Sequence, residues 1–324
     1  MIALRRRALP RLALLGGLLL FACAVGTLFR ADVVGALRGD ALARSFLWDI
    51  RLPRTLIALM VGAGLGVAGA VLQGVLRNDL VEPGILGLNA GAECAVLLSL
   101  LLYAGPAWAG ALLLPIIAWC GGLAAVGLVA LLTARRGGVR PTQFLLAGIG
   151  VNMLLGGANA LLGLMMIGRV HAVAVTWQAG SLGAAGWEQV AVLGPMLALL
   201  LPLAWWAAPL VNVIALGDDT ASELGVPVAR RRWMLIALAV ALSSGCVAVG
   251  GGIAFAGLLA PHIARRMVGV DYRLLLPATA VVGAVLVLVA DVLARTLFLP
   301  SLMPTGVLLA VLGVPYFLVL LSRR

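Results

Sequence analysis

RLPRTLIALMVGAGLGVAGAVLQGVL, residues 51–76, sets two arginines around a Leu-Pro pair and then runs from Thr55 to Leu76 without a charge. About 20 apolar residues suffice for a helix to cross roughly 30 Å of hydrocarbon. The stretch reads as a membrane span, with its guanidinium groups at the entry.

The same texture recurs along the chain. Its 324 residues are 63% hydrophobic and 11% charged, with a mean hydropathy of +1.15. Soluble domains are nearer 45–50% apolar and about 25% charged. Apolar runs fall near 12–29, 55–76, 91–105, 107–134, 143–168, 190–210, 233–249, 252–264, 274–294 and 304–321. The expected fold class is therefore all-α: a polytopic membrane protein with about ten transmembrane helices in one domain, 1–324. The N-terminus, MIALRRRALPRLALLGGLLLFACAVG, has the basic start and apolar middle of a signal peptide. Its apolar run is long enough to span, and we read it as a retained first helix. Between the seventh and eighth runs, GCVAVGGGIAFAG (245–257) concentrates glycine, which favours a break in the helix.

All 23 basic residues are arginine, and the net charge is +11. In a membrane protein such an excess reports topology before nucleic-acid binding. With an inside N-terminus and ten spans, 16 of the 23 arginines fall on the inner side, as the positive-inside rule expects, and both termini are cytoplasmic. Arg51, Arg54 and Arg295 fall outside, with Arg51 and Arg54 following a segment, 31–50, that reads as an external amphipathic helix. Two readings stand: the guanidinium groups reach lipid phosphates, or they present bidentate donors to an acidic partner.

The absence of lysine removes a Walker A loop and a Schiff-base mechanism. The spans also hold little that titrates: Glu93 and Asp291 are the carboxylates plausibly inside one, so ion coupling has few groups to use. Energy is expected to enter through a partner at an inner loop. The strongest loop is LGDDTASELGVPVARRR (216–232). Thr220-Ala221-Ser222-Glu223 reads as an S/T-x-x-E capping box, Gly225 and Pro227 read as a stop, and Asp218 and Asp219 suit a helix N-terminus. The four cysteines lie in apolar runs without C-x-x-C spacing, and no metal site is assigned.

These stretches together resemble the FecCD-type permease family, the membrane subunits of ATP-binding-cassette (ABC) importers for iron-siderophores, haem and cobalamin. The resemblance rests on residues 51–92, on TWQAGSL (176–182) followed by Trp187, on LGDDTASELGV (216–226), on residues 251–295, on MPTG (303–306) and on GVPYF (313–317). It implies a type II ABC importer permease fold and a homodimer in the bacterial inner membrane. It also implies two ATPase subunits at the cytoplasmic face, carrying ATP and Mg, and a substrate-binding protein outside. This chain would then bind no cofactor and catalyse nothing itself.

Residue by residue, the resemblance makes Arg51, Arg54 and Arg295 the docking site for the binding protein. It makes 216–226 a coupling helix, with Gly217, Asp218, Asp219, Thr220, Ala221, Glu223, Leu224 and Gly225 meeting the ATPase. It places a cytoplasmic gate at Asn78, Leu80 and Thr142, and a pathway wall on the fifth span with Asn152 and Asn159. Where the family has N-P-L-A-x-P-G, this chain has Asn78-Asp79-Leu80-Val81-Glu82-Pro83-Gly84, and Asp79 in place of proline is expected to loosen the turn. His171 and His262 read as interfacial and structural. The competing class is a stand-alone carrier or channel that depends on Glu93 or Asp291.

Overall fold

The computed structural model describes residues 40–102, 107–134, 140–166, 175–183, 185–297 and 303–322, with isolated positions between 16 and 27. Most of the first apolar run, Arg169 and His171 lie outside the described residues. Every regular element among them is helical: α1 (Ala41–Ser45), α2 (Leu52–Leu76), α3 (Leu88–Leu102), α4 (Ala107–Thr133), α5 (Pro141–Met165), α6 (Trp187–Trp206), α7 (Ala208–Ala215), α8 (Asp218–Glu223), α9 (Val228–Gly250), α10 (Ala256–Val268), α11 (Tyr272–Leu297) and α12 (Thr305–Ser322).

Helix α2 is the axis of the bundle and packs against α11, α9 and α10. Lipid tails are as apolar as leucine, so helices in a membrane associate through close packing of small residues. Accordingly, α2 presents Gly62 to the backbone of Gly283 on α11, and Gly69 to that of Gly257 on α10. A Cβ at Gly69 would overlap the carbonyl oxygen of Gly257. Ile57, Val61, Val71 and Leu72 complete a fully buried face.

Six helical stretches are long and apolar enough to cross a membrane; α3 and the apolar part of α12 are shorter. Helix α10, with 13 residues, is about 20 Å long at 1.5 Å per residue, so it does not traverse the hydrocarbon alone. The glycine-rich segment does break the helix: α9 ends at Gly250 and Gly251 takes φ +71°. The chain after α2 also folds back into the bundle, because Pro83 lies against Gly257, which is itself beside Leu65 in mid-α2.

Irregular backbone at that depth needs internal hydrogen-bond partners. Gln73 Nε2 donates to the carbonyls of Val81 and Gly257 at 3.2 and 3.4 Å. The carboxylate of Glu82 accepts the backbone N–H of Phe255, just ahead of α10. The N–H of Gly252 donates to Trp177 O at 3.2 Å, and that of Gly306 to Gly180 O at 2.8 Å.

One element departs from the sequence reading. The described end of the segment 31–50 is no separate helix: α1 continues through a π turn, Phe46–Arg51, directly into α2. Pro53 explains the π turn. A proline has no N–H to give and its ring crowds the carbonyl four residues back, and the N–H of Leu52 bonds Leu47 O, five residues back.

Candidate functional site

Charged residues gather at the two ends of α2. At its N-terminal end, Asp291 of α11 is fully buried. Arg54 donates to its Oδ1 from Nη2 at 2.8 Å and from Nε at 3.0 Å. Thr305, which begins α12, donates its hydroxyl to the same oxygen at 3.1 Å. Arg295, one turn along α11, lies 3.6 Å from Oδ2 and donates to the carbonyl of Gly26 at 2.5 Å. One carboxylate therefore joins α2, α11 and α12, and Arg295 adds the chain around Gly26.

The three arginines proposed for docking are thus brought to one end of the bundle, with different surroundings. Arg54 and Arg295 have side chains only 14% and 10% exposed and are engaged by Asp291. Arg51 is half-buried with its guanidinium 5.0 Å from the centre of the Phe46 ring. Beside them, Trp48 and Trp187 stack at 5.5 Å, and Trp187 Nε1 donates to Trp48 O at 3.0 Å. Sequence reasoning missed Asp291 as the partner of these arginines. The available signal was its spacing, four residues before Arg295 on one helix face.

At the opposite end, α8 is held by its first residue. Asp218 accepts from Arg232 at 2.5 and 3.0 Å and from Arg77 at 3.0 Å. Hydrogen bonding from Arg232, helped by the charges of Arg232 and Arg77 and opposed by burial, holds its carboxyl below the usual carboxylate range. Arg232 is 2% exposed, the fifth residue of α9. Arg77 terminates α2 in a left-handed conformation, φ 51°.

Helix α8 starts three residues earlier than its sequence suggests, with Gly217 as N-cap at φ +124° and no side-chain cap. Thr220 therefore lies within the helix, and its capping box with Glu223 does not form. The turn at Gly217 and the fixed carboxylate of Asp218 set the start instead. The stop is as read: Gly225 takes φ +77°, its N–H bonds Ser222 O and that of Val226 bonds Ala221 O, the Schellman pattern. Of the eight residues expected to meet a partner here, Ala221 is buried; Asp219, Thr220, Glu223, Leu224 and Gly225 are exposed.

The segment between α2 and α3 adjoins this end. Asn78 Oδ1 accepts the N–H of Leu80 at 3.0 Å, closing the turn, and Asp79 pairs with Arg265 at 2.9 Å. Aspartate in place of proline gives this turn an ion pair. Thr142 is exposed on the first turn of α5. A cavity of about 700 Å³ opens among Arg77, Asn78, Asn212, Leu216, Arg265 and Tyr272. His262 packs edge-on against Tyr316 at 6.0 Å, as a structural residue.

Helix α5 exposes a stripe of Leu146, Ile149, Met153, Leu154, Leu161 and Leu164. Asn152 is half-buried. Asn159 is not on that stripe: it is 3% exposed, and Nδ2 donates to Ala90 O of α3 at 3.0 Å. Its carbonyl-bonding amide binds α5 to α3, because an amide facing lipid or an apolar seam needs a partner. Glu93 of α3 accepts from the amide of Gln178 and is hydrogen-bonded by Asn159.

Comparison with known proteins places this geometry. The FecCD transport family matches residues 11–323. The iron(3+)-hydroxamate import system permease protein FhuG of Bacillus subtilis is 42% identical over 293 residues, covering 88% of this chain and 86% of its own length. The hemin transport system permease protein HmuU of Yersinia pestis is 38% identical over 286 residues, covering 88% and 85%. A solved inward-facing chain of a metal-chelate type ABC transporter superposes with a TM-score of 0.85 at 29% identity, over 97% of this chain and 99% of that one.

Proposed function

This chain belongs to the FecCD transport family, and from that premise we propose that it is the permease subunit of an ABC importer. Its cargo is a ferric chelate, haem or a corrinoid delivered by a substrate-binding protein. Ferric hydroxamates are the first class to try, given the 42% identity to a hydroxamate permease. The chain acts as a homodimer in the bacterial inner membrane, one domain of ten crossings with both termini in the cytoplasm. Two ATPase subunits bind at the α8 face, where ATP and Mg belong to them, and the permease catalyses nothing itself. The binding protein docks at the Arg51 end.

The observation that carries this reading is α8. A helix of six residues does not persist alone in water, since isolated helices shorter than about 12 residues are marginal. Here it is tied down at Asp218 and stopped at Gly225, with the apolar side chains of Leu216 and Leu224 at its two ends 67% and 62% exposed. A stiff helix flanked by unburied leucines is suited to seat in a protein partner and to transmit force.

The pathway between two copies takes the exposed α5 stripe as its wall, with Asn152 beside it, and narrows at Asn78, Leu80 and Thr142. The wall is apolar and recognises little, which leaves selection to the binding protein. The stand-alone carrier is disfavoured by Asp291, which is engaged as the counter-ion of Arg54 and Arg295.

Gentle detergent extraction of the tagged chain, followed by mass spectrometry of co-purifying proteins, tests the reading. A stoichiometric partner with a Walker A motif is expected. A folded dimer without one, still transporting, would return the carrier to first place.

A further inference from the structure

We propose that the ion-pair chain Arg77–Asp218–Arg232 is the linkage that carries movement of α8 to the gate segment Asn78–Leu80, with Arg77 as its positioning residue. The inference rests on the importer reading and adds a defined route from partner to gate.

Four observations support it. First, Asp218 is the opening residue of α8, and its carboxylate is shared by two guanidinium groups on different helices. Second, those groups differ in anchorage. Arg232 is nearly inaccessible at the base of α9, whereas the Arg77 side chain is 39% exposed at the last turn of α2. Asp218 therefore turns about a fixed post and pulls on a free end.

Third, Arg77 holds a left-handed backbone, φ 51°, a conformation that disfavours residues with a Cβ and persists where surrounding contacts enforce it. The residues that follow it directly are Asn78, Asp79 and Leu80. Fourth, the loop is fastened from Val81 onward, by Gln73 to the Val81 carbonyl and by Glu82 to the N–H of Phe255. A displacement at Arg77 therefore reaches first the three-residue turn between the end of α2 and that fastening, where Asp79, its side chain 45% exposed, is tied to Arg265 by an ion pair. The glycines at 217 and 225, both at positive φ, bracket α8 and let it tilt as one piece.

The geometry also makes the linkage separable from the fold. The Arg77–Asp218 pair joins side chains 39% and 42% exposed, and such pairs add little to stability. Removing the Arg77 guanidinium leaves Asp218 bound to Arg232.

The test uses the chain with its co-purifying ATPase and binding protein in proteoliposomes. The probe is the iron-55 chelate that the wild type takes up fastest among ferric hydroxamate, ferric citrate and haem. Arg77→Ala is expected to retain stoichiometric ATPase and its hydrolysis while uptake per ATP falls about tenfold, in the usual range of coupling energies. Arg77→Lys, which keeps the charge, recovers most of the ratio. A purely structural role would instead lower thermal stability and leave the ratio of the folded fraction unchanged, which overturns the proposal. Loss of the ATPase from the Arg77→Ala complex also overturns it, by making the pair part of the docking surface. If the wild type shows no ATP-dependent uptake of any probe, the importer reading falls and the linkage falls with it.

Discussion

Replacing Asp291 by alanine removes the one carboxylate that two arginines share at the Arg51 end. In the wild type its side chain is 0% exposed, and it takes bonds of 2.8 and 3.0 Å from Arg54 and 3.1 Å from Thr305. Truncation leaves the guanidinium groups of Arg54 and Arg295 beside each other without the counter-ion they share among the described residues. Breaking a buried pair from one side costs about 3–5 kcal/mol, because a charge is left uncompensated. Both arginines keep some exposure, 14% and 10%, and can turn toward water, so the lower figure, about 3 kcal/mol, applies. At about 1.5 °C per kcal/mol for a chain this long, from an unfolding entropy of about 2.1 cal/mol/K per residue, the midpoint of thermal unfolding should fall by about 4–5 °C. Tryptophan fluorescence in a single detergent reads it. The triple replacement Asp291→Leu, Arg54→Met, Arg295→Met should recover most of the loss, because well-packed apolar groups replace a buried ionic cluster at little or no cost. A shift under about 2 °C for Asp291→Ala would refute the reasoning: the arginines would then be held by something other than this carboxylate.

Arg51→Glu should weaken association with the cognate binding protein about tenfold or more at low salt, with a thermal midpoint within about 2 °C of wild type. Unchanged affinity in a titration at low salt defeats the docking assignment. Gly69→Val drives a branched side chain into the backbone of Gly257 and should cost about 1–3 kcal/mol or more, seen as aggregation on size exclusion; a wild-type profile would show that α2 and α10 are not locked there. The lowered Asp218 carboxyl gives a signed pH dependence. A depressed folded-state pKa stabilises above the group's ordinary pKa, 3.8, and the contribution is lost as the pH falls through the folded value. Protection of the α8 amides in hydrogen exchange, corrected for the intrinsic rate, should therefore be level from about pH 8 to about pH 5; a decline across that range would contradict the pairing.

Much of the architecture was legible because long apolar runs have one physical outcome in a bilayer. The helices near 55–76, 143–168 and 274–294 needed only their length, and the glycines at 250–252 announced the break after α9. Less legible was whatever depends on distant partners. Asp291 and Arg54 are separated by 237 positions, and no local spacing relates them. Asp291 therefore read as a possible ion-coupling group when it is a counter-ion. Asn159 read as wall because the resemblance puts the pathway on the fifth span; only the place of Ala90 O shows that it faces α3. The segment ahead of Arg51 read as a separate surface helix from its amphipathic pattern, whereas a π turn absorbs Pro53 and lets the helix continue. Thr220–Glu223 had the letters of a capping box, but a carboxylate fixed by two arginines outweighs an S/T cap, which is typically worth about 1 kcal/mol.

The two charged ends are mechanically related through α2. The helix has 25 residues, about 37 Å at 1.5 Å per residue. It begins one position after Arg51 and ends one position before Arg77. Backbone contact between Gly62 and Gly283 leaves no side chain to compress between α2 and α11, so the two helices slide or bend against each other poorly. Asp291 adds an ionic tie between the same two helices at the Arg51 end. A load placed on Arg51 or Arg54 cannot dissipate by stretching this pair; it tilts α2 and α11 together. The helix ends at the left-handed Arg77, and the load passes next to the turn Asn78–Leu80, which is tied to α10 through the Asp79–Arg265 pair and precedes the buried fastening at Val81 and Glu82. An event at the Arg51 end and a pull from α8 therefore converge on the same three residues, and the segment between α2 and α3 is where the two inputs meet.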